Sequence, residues 1–466
     1  MSSRSSLQKP DRRTGALLKS LITYDTSNPP GDTRALARFL EAQFKPLGAE
    51  VEIVTAPNDK AAHFFARLRG DGSKRPILLA AHADVVPVER QRWTVAPFLG
   101  VEKDGFIYGR GALDFKGGLA VFARAVMMLA EQKVPLARDV ILLAEADEEQ
   151  GAFNTTWLAK DHWDSMDAEF ALNEGGYIFT DLDCKVRQVN ITVADKLSIT
   201  LALTTTGPAG HSSRPFPVDE MATGRLIAAL SRLNAHNPRI KLVRAAATYF
   251  KALLPISSDR MAADIRALLD AEDEDARETA CRGLTDGTIR GGLLLNAMLR
   301  DTMMVTVLES GSKPNVIPSE AKAMVNTRLL PGTRIEDVIQ QIKLIIDDPR
   351  IEIRIVTPMS QEEAASHYLM RTQLPESPVD TPLYNALRSN AKRVWPESTI
   401  VPTMFEAGTD ATAWRERNVP VYGVYPYPID DDVLSRMHGP DEKIAMEALG
   451  QGTEWIYNTL LEVAAK

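Results

Sequence analysis

Five short segments place histidines and carboxylates at spacings that suit metal chemistry. The first is His82-Ala-Asp84, directly after the apolar run Ile77-Leu-Leu-Ala-Ala81. A His and an Asp two residues apart lie on one side of an extended chain. Asp84 can therefore accept the second ring N–H of His82 and fix its tautomer. The second is the Gly-rich stretch from Gly109 to Gly118, with Asp114 just before a helix. Taken alone Asp114 reads as an N-cap, although a carboxylate there can also bridge two cations. The third, Glu145 to Gly151, follows the apolar run 140–144 and carries adjacent Glu148 and Glu149, which project differently and so suit different roles. The fourth is Asn173-Glu174-Gly175-Gly176, read as a polar turn closing a short strand, and the fifth is His438 in a loop before the last helix.

Singly, each segment has a plainer reading: a strand-end His, a cap, a solvated acidic loop, a turn, a surface His. Together they offer two imidazoles and at least three carboxylates. That donor set suits two divalent cations with N/O ligands, zinc foremost. Cations bridged by a carboxylate polarise a carbonyl and generate hydroxide near neutral pH, with a nearby carboxylate as general base.

Composition narrows the field. Of 466 residues, 54 are Lys or Arg and 62 Asp or Glu, a net charge of −8. That acidic balance argues against a nucleic-acid partner. The apolar content of 44% is that of a globular protein. Two cysteines, Cys184 and Cys281, build neither a disulfide framework nor a Cys-rich zinc site, which leaves His and carboxylates for any metal. No apolar run is long enough for a membrane span. Residues 1–14 are polar and basic without an apolar core, so a cytoplasmic location is expected.

The elements that must position these groups follow from periodicity. Two helices around the Thr26–Gly31 turn are expected first, with Asp32 capping the second. Strands at 51–54, 63–68, 76–81, 140–144 and 169–172 then alternate with helices at 117–131 and 153–163, the pattern of an α/β layered sheet. From 190 to 206 a long period-2 alternation predicts one antiparallel strand. A helix at 218–233, a helical insertion at 236–295, strands at 301–308 and 320–329, a helix at 336–346 and a strand at 351–356 follow, an α+β order. After residue 382 the α/β pattern returns. The expected domains are 1–190 and 376–466 for the α/β part, interrupted by 191–375.

In this order the five segments resemble the co-catalytic zinc amidohydrolases and exopeptidases typified by aminoacylase, acetylornithine deacetylase, succinyl-diaminopimelate desuccinylase and glutamate carboxypeptidase. The resemblance covers nearly the whole chain, including the Pro-Pro-Gly turn near the start. It implies a zinc-exopeptidase-like α/β/α catalytic domain interrupted by a ferredoxin-like α+β lid and dimerisation domain. It also implies one zinc on His82 and Glu174, another on Glu149 and His438, Asp114 bridging, Glu148 as general base and Asp84 orienting His82. Cobalt or manganese are the expected substitutes. By the same resemblance His211, in Thr206-Gly-Pro-Ala-Gly-His211, helps hold the oxyanion. Asn315, Arg328 and the loop Gly408-Thr409-Asp410 would bind a substrate carboxylate, for which the planar fork of Arg is suited.

The implied activity is hydrolysis of an amide or peptide bond next to a free carboxylate, by a homodimer acting on an N-acyl amino acid or short peptide. The 236–295 insertion and Arg436-x-His-Gly-x-x-Glu442 look more like the larger carboxypeptidases and N-acyl-amino-acid hydrolases than the compact desuccinylases. A di- or tripeptidase needing a free amine, and an amidase of a xenobiotic using Tyr422, Tyr425 and Tyr427, stay open beside it. A non-catalytic binding protein is disfavoured because every expected ligand and the base are present.

Overall fold

The computed structural model describes residues 12–181, 183–286 and 291–466. Most of the basic N-terminal stretch and residues 287–290 of the helical insertion lie outside the described residues. Two compact units form: one runs through Val193 and takes up again at Glu376–Thr403 and Thr409–Lys466, and the other comprises Ala194–Pro375 with Met404–Gly408.

The first unit is built on a mixed eight-stranded sheet. Its order is Glu50–Thr55, Ala62–Leu68, Val140–Glu145, Ile77–His82, Phe170–Thr180, Val421–Ile429, Val186–Asp195 and Thr399–Phe405. The central strands are parallel: Ile77–His82 pairs in this sense with both Val140–Glu145 and Phe170–Thr180. Every residue of Ile77–His82 and Val140–Glu145 is buried, which is why these strands read as unbroken apolar runs. The helix Lys116–Glu131 buries nearly all its residues. The helix Met446–Ala464 lies against it and against the strand Val421–Ile429. Parallel strands that end together deliver their following residues to one edge, the usual place for a site in an open α/β sheet.

The second unit is an antiparallel four-stranded sheet in the order Thr302–Ser310, Glu320–Leu329, Leu197–Thr206 and Glu352–Ile355. Its apolar face packs on the helices Ala222–Ala235 and Ile335–Ile346. The insertion folds as helices Arg244–Leu253, Asp259–Asp270, Glu274–Cys281 and Gly292–Leu299, with Asp273 of the acidic segment capping the third. Among the described residues no helix is long and apolar enough to cross a membrane.

Three expectations change. The alternation at 190–206 is two strands, Val186–Asp195 and Leu197–Thr206, in different sheets. The break falls at Lys196, whose amide donates to Phe405 O and whose ammonium donates to the carbonyls of Ala297 and Arg300. Glu174 lies inside a strand rather than in a turn: Phe170–Thr180 runs on through Gly175 and Gly176. A Cβ at Gly175 would come within 2.7 Å of Thr192 Oγ1, and one at Gly176 within 2.3 Å of Asn190 O, so glycine lets neighbouring strands close over an irregular register. The second N-terminal helix starts after Thr33, so Asp32 stands one residue before the N-cap; its carboxylate accepts the first helical amide, Arg34 N, at 3.3 Å and pairs with the Arg34 guanidinium.

Candidate metal centre

The five segments converge in the first unit. Asp114 lies between two imidazoles, with His82 Nε2 3.1 Å from Oδ1 and His438 Nε2 2.8 Å from Oδ2. Glu174 Oε2 is 3.4 Å from His82 Nε2, and Glu149 Oε1 is 3.6 Å from His438 Nε2. The groups His82, Glu148, Glu174 and His82, Asp114, Glu149 each present ligand atoms within 4.8 Å of one another. His82, Asp114 and Glu174 are buried, and the side chain of His438 is 50% exposed, so the centre opens on that side.

These separations fit the proposed ligands. Donors held about 2.1 Å from a tetrahedral cation stand about 3.4 Å apart. Buried Glu149 Oε1 has no hydrogen-bond donor, an orphan a cation would satisfy. The charges agree. Burial, then the neighbouring carboxylates Glu174 and Asp410, hold Glu148 well above the usual carboxylate range. Burial likewise lifts Glu149 and Glu174 to about 7 against the pull of His82. Burial disfavours the charged form of His82, yet Asp114 and Glu174 outweigh it and raise its pKa. Four carboxylates packed this closely need added positive charge to ionise together.

Backbone and buried polar contacts hold the centre. His82 Nδ1 meets the carbonyl of Asp84 at 3.0 Å, whereas the Asp84 carboxylate stands 3.8 Å away. Asp84 thus meets His82 through its backbone. Its carboxylate accepts the amides of Glu148 and Glu149, each at 3.2 Å, and Asn28 Nδ2 at 2.8 Å. Those three donors occupy both carboxylate oxygens, and burial raises the Asp84 carboxyl against the pull of His82. Asn28, from the Pro-Pro-Gly turn, also donates to Asp147 at 2.8 Å. The loop carrying Asp114 is fixed by Glu442, which accepts the amides of Gly111, Leu113 and Asp114 and pairs with Arg110 at 2.6 Å. Asn28, Arg110 and Glu442 had no role from sequence. The one signal was Glu442's place in the Arg436–Glu442 motif.

The other expected residues divide between the two units. In the second unit, His211 pairs with Val316 across a two-stranded ribbon. Its Nδ1 meets Ser213 Oγ at 2.8 Å, and exposed Asn315 accepts the amide of Ser212. Arg328 lies on the strand Glu320–Leu329 with its Nε on Asn326 at 3.1 Å, and with Lys196 it draws down the carboxyl of Glu406, which burial raises. Gly408 belongs to the second unit. Thr409 is buried in the first, where its hydroxyl accepts the amide of Ala411.

An open α/β sheet with paired imidazoles about a shared carboxylate is the framework of a metal-dependent hydrolase. Residues 78–462 match Peptidase family M20/M25/M40, and the chain belongs to that family. It is a metal-dependent hydrolase of amide or peptide bonds. It is 29% identical over 457 residues to the Homo sapiens N-fatty-acyl-amino acid synthase/hydrolase PM20D1, across 96% of this chain and 86% of that protein. It is 28% identical to the Dictyostelium discoideum protein described as probable carboxypeptidase S-like 2, across 84% and 72%. The fold is that of an M20 family metallo-carboxypeptidase from Sulfolobus solfataricus, with a TM-score of 0.69 at 17% identity over 96% and 98% of the two chains.

Proposed function

We propose that the protein is a binuclear zinc hydrolase that cleaves N-acyl amino acids or short peptides at an amide bond next to a free carboxylate. The observation that carries this reading is Asp114 between His82 and His438, one oxygen toward each. His82 and Glu174 would hold one cation, His438 and Glu149 the other, and Asp114 both. When bound, the pair supplies Lewis acidity that polarises the scissile carbonyl and acidifies water. Cobalt or manganese would serve in the same N/O set.

Glu148 takes the proton of the attacking water and returns it to the leaving amine. Its backbone is held by Asp84, so the carboxylate stays placed through both transfers. His211 donates to the developing oxyanion, and Asn315, Arg328, Gly408 and Thr409 receive the substrate carboxylate. The similarity to the human N-fatty-acyl-amino acid synthase/hydrolase favours an acyl group on the substrate nitrogen. The reading includes a homodimer through the second unit, supported by the outward Met304 and Leu308, each 64% exposed, on the edge strand Thr302–Ser310. It also includes a cytoplasmic setting, in which Cys184 and Cys281 persist as thiols.

The test is a panel of N-acyl amino acids, their amidated counterparts, and dipeptides with free or blocked amines. Cleavage of blocked substrates with a free carboxylate is expected. Cleavage confined to free-amine dipeptides would overturn the assignment in favour of a dipeptidase.

A further inference from the structure

The strand Val421–Ile429 brings a phenol to the metal-site carboxylates. Tyr425 is 2% exposed. Its hydroxyl donates to Asp114 Oδ1 at 3.0 Å and stands 3.4 Å from Glu174 Oε2. The ring is gripped by Phe115 edge-on at 5.0 Å, by Tyr177 at 4.9 Å and by Tyr427 at 6.3 Å between centroids. Packing therefore fixes where the oxygen sits.

The contact is one-sided. Oδ1 is the Asp114 oxygen turned to His82, while Oδ2 is turned to His438. The phenol thus addresses the half of the bridge shared with His82 and Glu174. Its strand neighbours behave differently. Tyr422 shares a hydrogen bond with Thr381 Oγ1 and donates to Pro378 O, and Tyr427 donates to the carbonyl of Leu113.

We propose that Tyr425 is a positioning residue for the cation site of His82, Asp114 and Glu174, and that it sets the affinity of that site separately from the site of His438 and Glu149. This rests on the two-cation reading above. The phenol limits rotation of the two carboxylates, keeping lone pairs aimed toward His82 Nε2. Loss of such an outer hydrogen bond costs about 10- to 100-fold in metal affinity. The lopsided contact predicts that one site bears that loss.

The experiment measures Zn2+ affinity by chelator competition in the full chain carrying Glu149→Ala or Glu174→Ala, each of which should retain one cation. Adding Tyr425→Phe should weaken zinc about 10- to 100-fold in the Glu149→Ala chain and leave the Glu174→Ala chain unchanged. Tyr422→Phe should alter neither. If either background fails to bind one zinc, the two-cation reading falls. If both bind and Tyr425→Phe weakens neither, or both equally, the role of Tyr425 is overturned. A 3-fluorotyrosine at position 425 preserves hydroxyl and packing should the Phe variant fold poorly. Its fluorine resonance should move on zinc addition to the Glu149→Ala chain, and a stationary resonance there overturns the proposal.

Discussion

Glu442→Gln removes a charge from the middle of the scaffold while preserving volume. Oε2 of Glu442 receives Arg110 Nη1 at 2.6 Å and the Gly111 amide at 3.1 Å, and Oε1 receives the amides of Leu113 at 2.7 Å and Asp114 at 3.0 Å. All four partners are donors. A glutamine has one acceptor oxygen, so in either orientation its NH2 faces two donors. Arg110, 2% exposed, would also lose its carboxylate, keeping the His438 carbonyl and the face of Trp93. Removing one partner of a buried ion pair costs about 3–5 kcal/mol, and that is the expected loss in urea unfolding of the metal-free protein. In either orientation at least one amide of the loop that carries Asp114 loses its acceptor, so zinc affinity should fall as well. Glu454→Gln, exposed on the last helix, should stay within about 0.5 kcal/mol. A Glu442→Gln protein within about 1 kcal/mol of the parent, with unchanged zinc affinity, would refute the role given to Glu442.

Three further outcomes are expected. Glu148→Ala should lower kcat about 10²- to 10⁴-fold while zinc content stays at two per chain; metal loss would make Glu148 a ligand instead. Arg328→Ala should raise KM about 10- to 100-fold for substrates with a free carboxylate and leave amidated analogues unaffected, and an equal effect on both would remove Arg328 from carboxylate binding. His63 is buried, with Nε2 on the Phe153 carbonyl and Nδ1 accepting the Ala146 amide, and burial, against the pull of that carbonyl, lowers its pKa to about 4. The unfolded chain therefore binds this proton first. The contribution is intact above pH 6.5 and lost as pH falls toward 4, by about 3 kcal/mol in all. His63→Gln should flatten urea stability between pH 7 and 4.5 relative to the parent, and an unchanged acid slope would exclude His63 as its source.

The ligand segments were legible because each follows a feature that sequence displays: an apolar run ending at His82, another ending before Glu148, a Gly-rich loop before a helix. What holds those ligands was not. Asn28 reaches Asp84 and Asp147, and Glu442 reaches amides more than 300 residues away. An acceptor of backbone amides leaves no periodic trace. The break at Lys196 was hidden for a related reason. Ile191, Val193, Leu197 and Ile199 keep one alternation across it, and the Lys196 ammonium at the break is held by the carbonyls of Ala297 and Arg300, more than 100 residues along the chain. The strand Thr399–Phe405, carrying Pro402, and the helix Gln361–Thr372, opened by a Ser360–Glu363 capping box, carry no expectation from sequence. The first lacks apolar alternation at its start, and the second buries few residues, so neither shows a strong period.

The central claim is tested most directly by stripping the full chain of metal, titrating zinc back, and following bound metal and hydrolysis of an N-acyl amino acid together. The account predicts an inactive stripped protein that takes up two zinc ions per chain as activity returns, and an Asp114→Ala variant that recovers neither. Full activity in the stripped protein, or undiminished zinc uptake by Asp114→Ala, would contradict it.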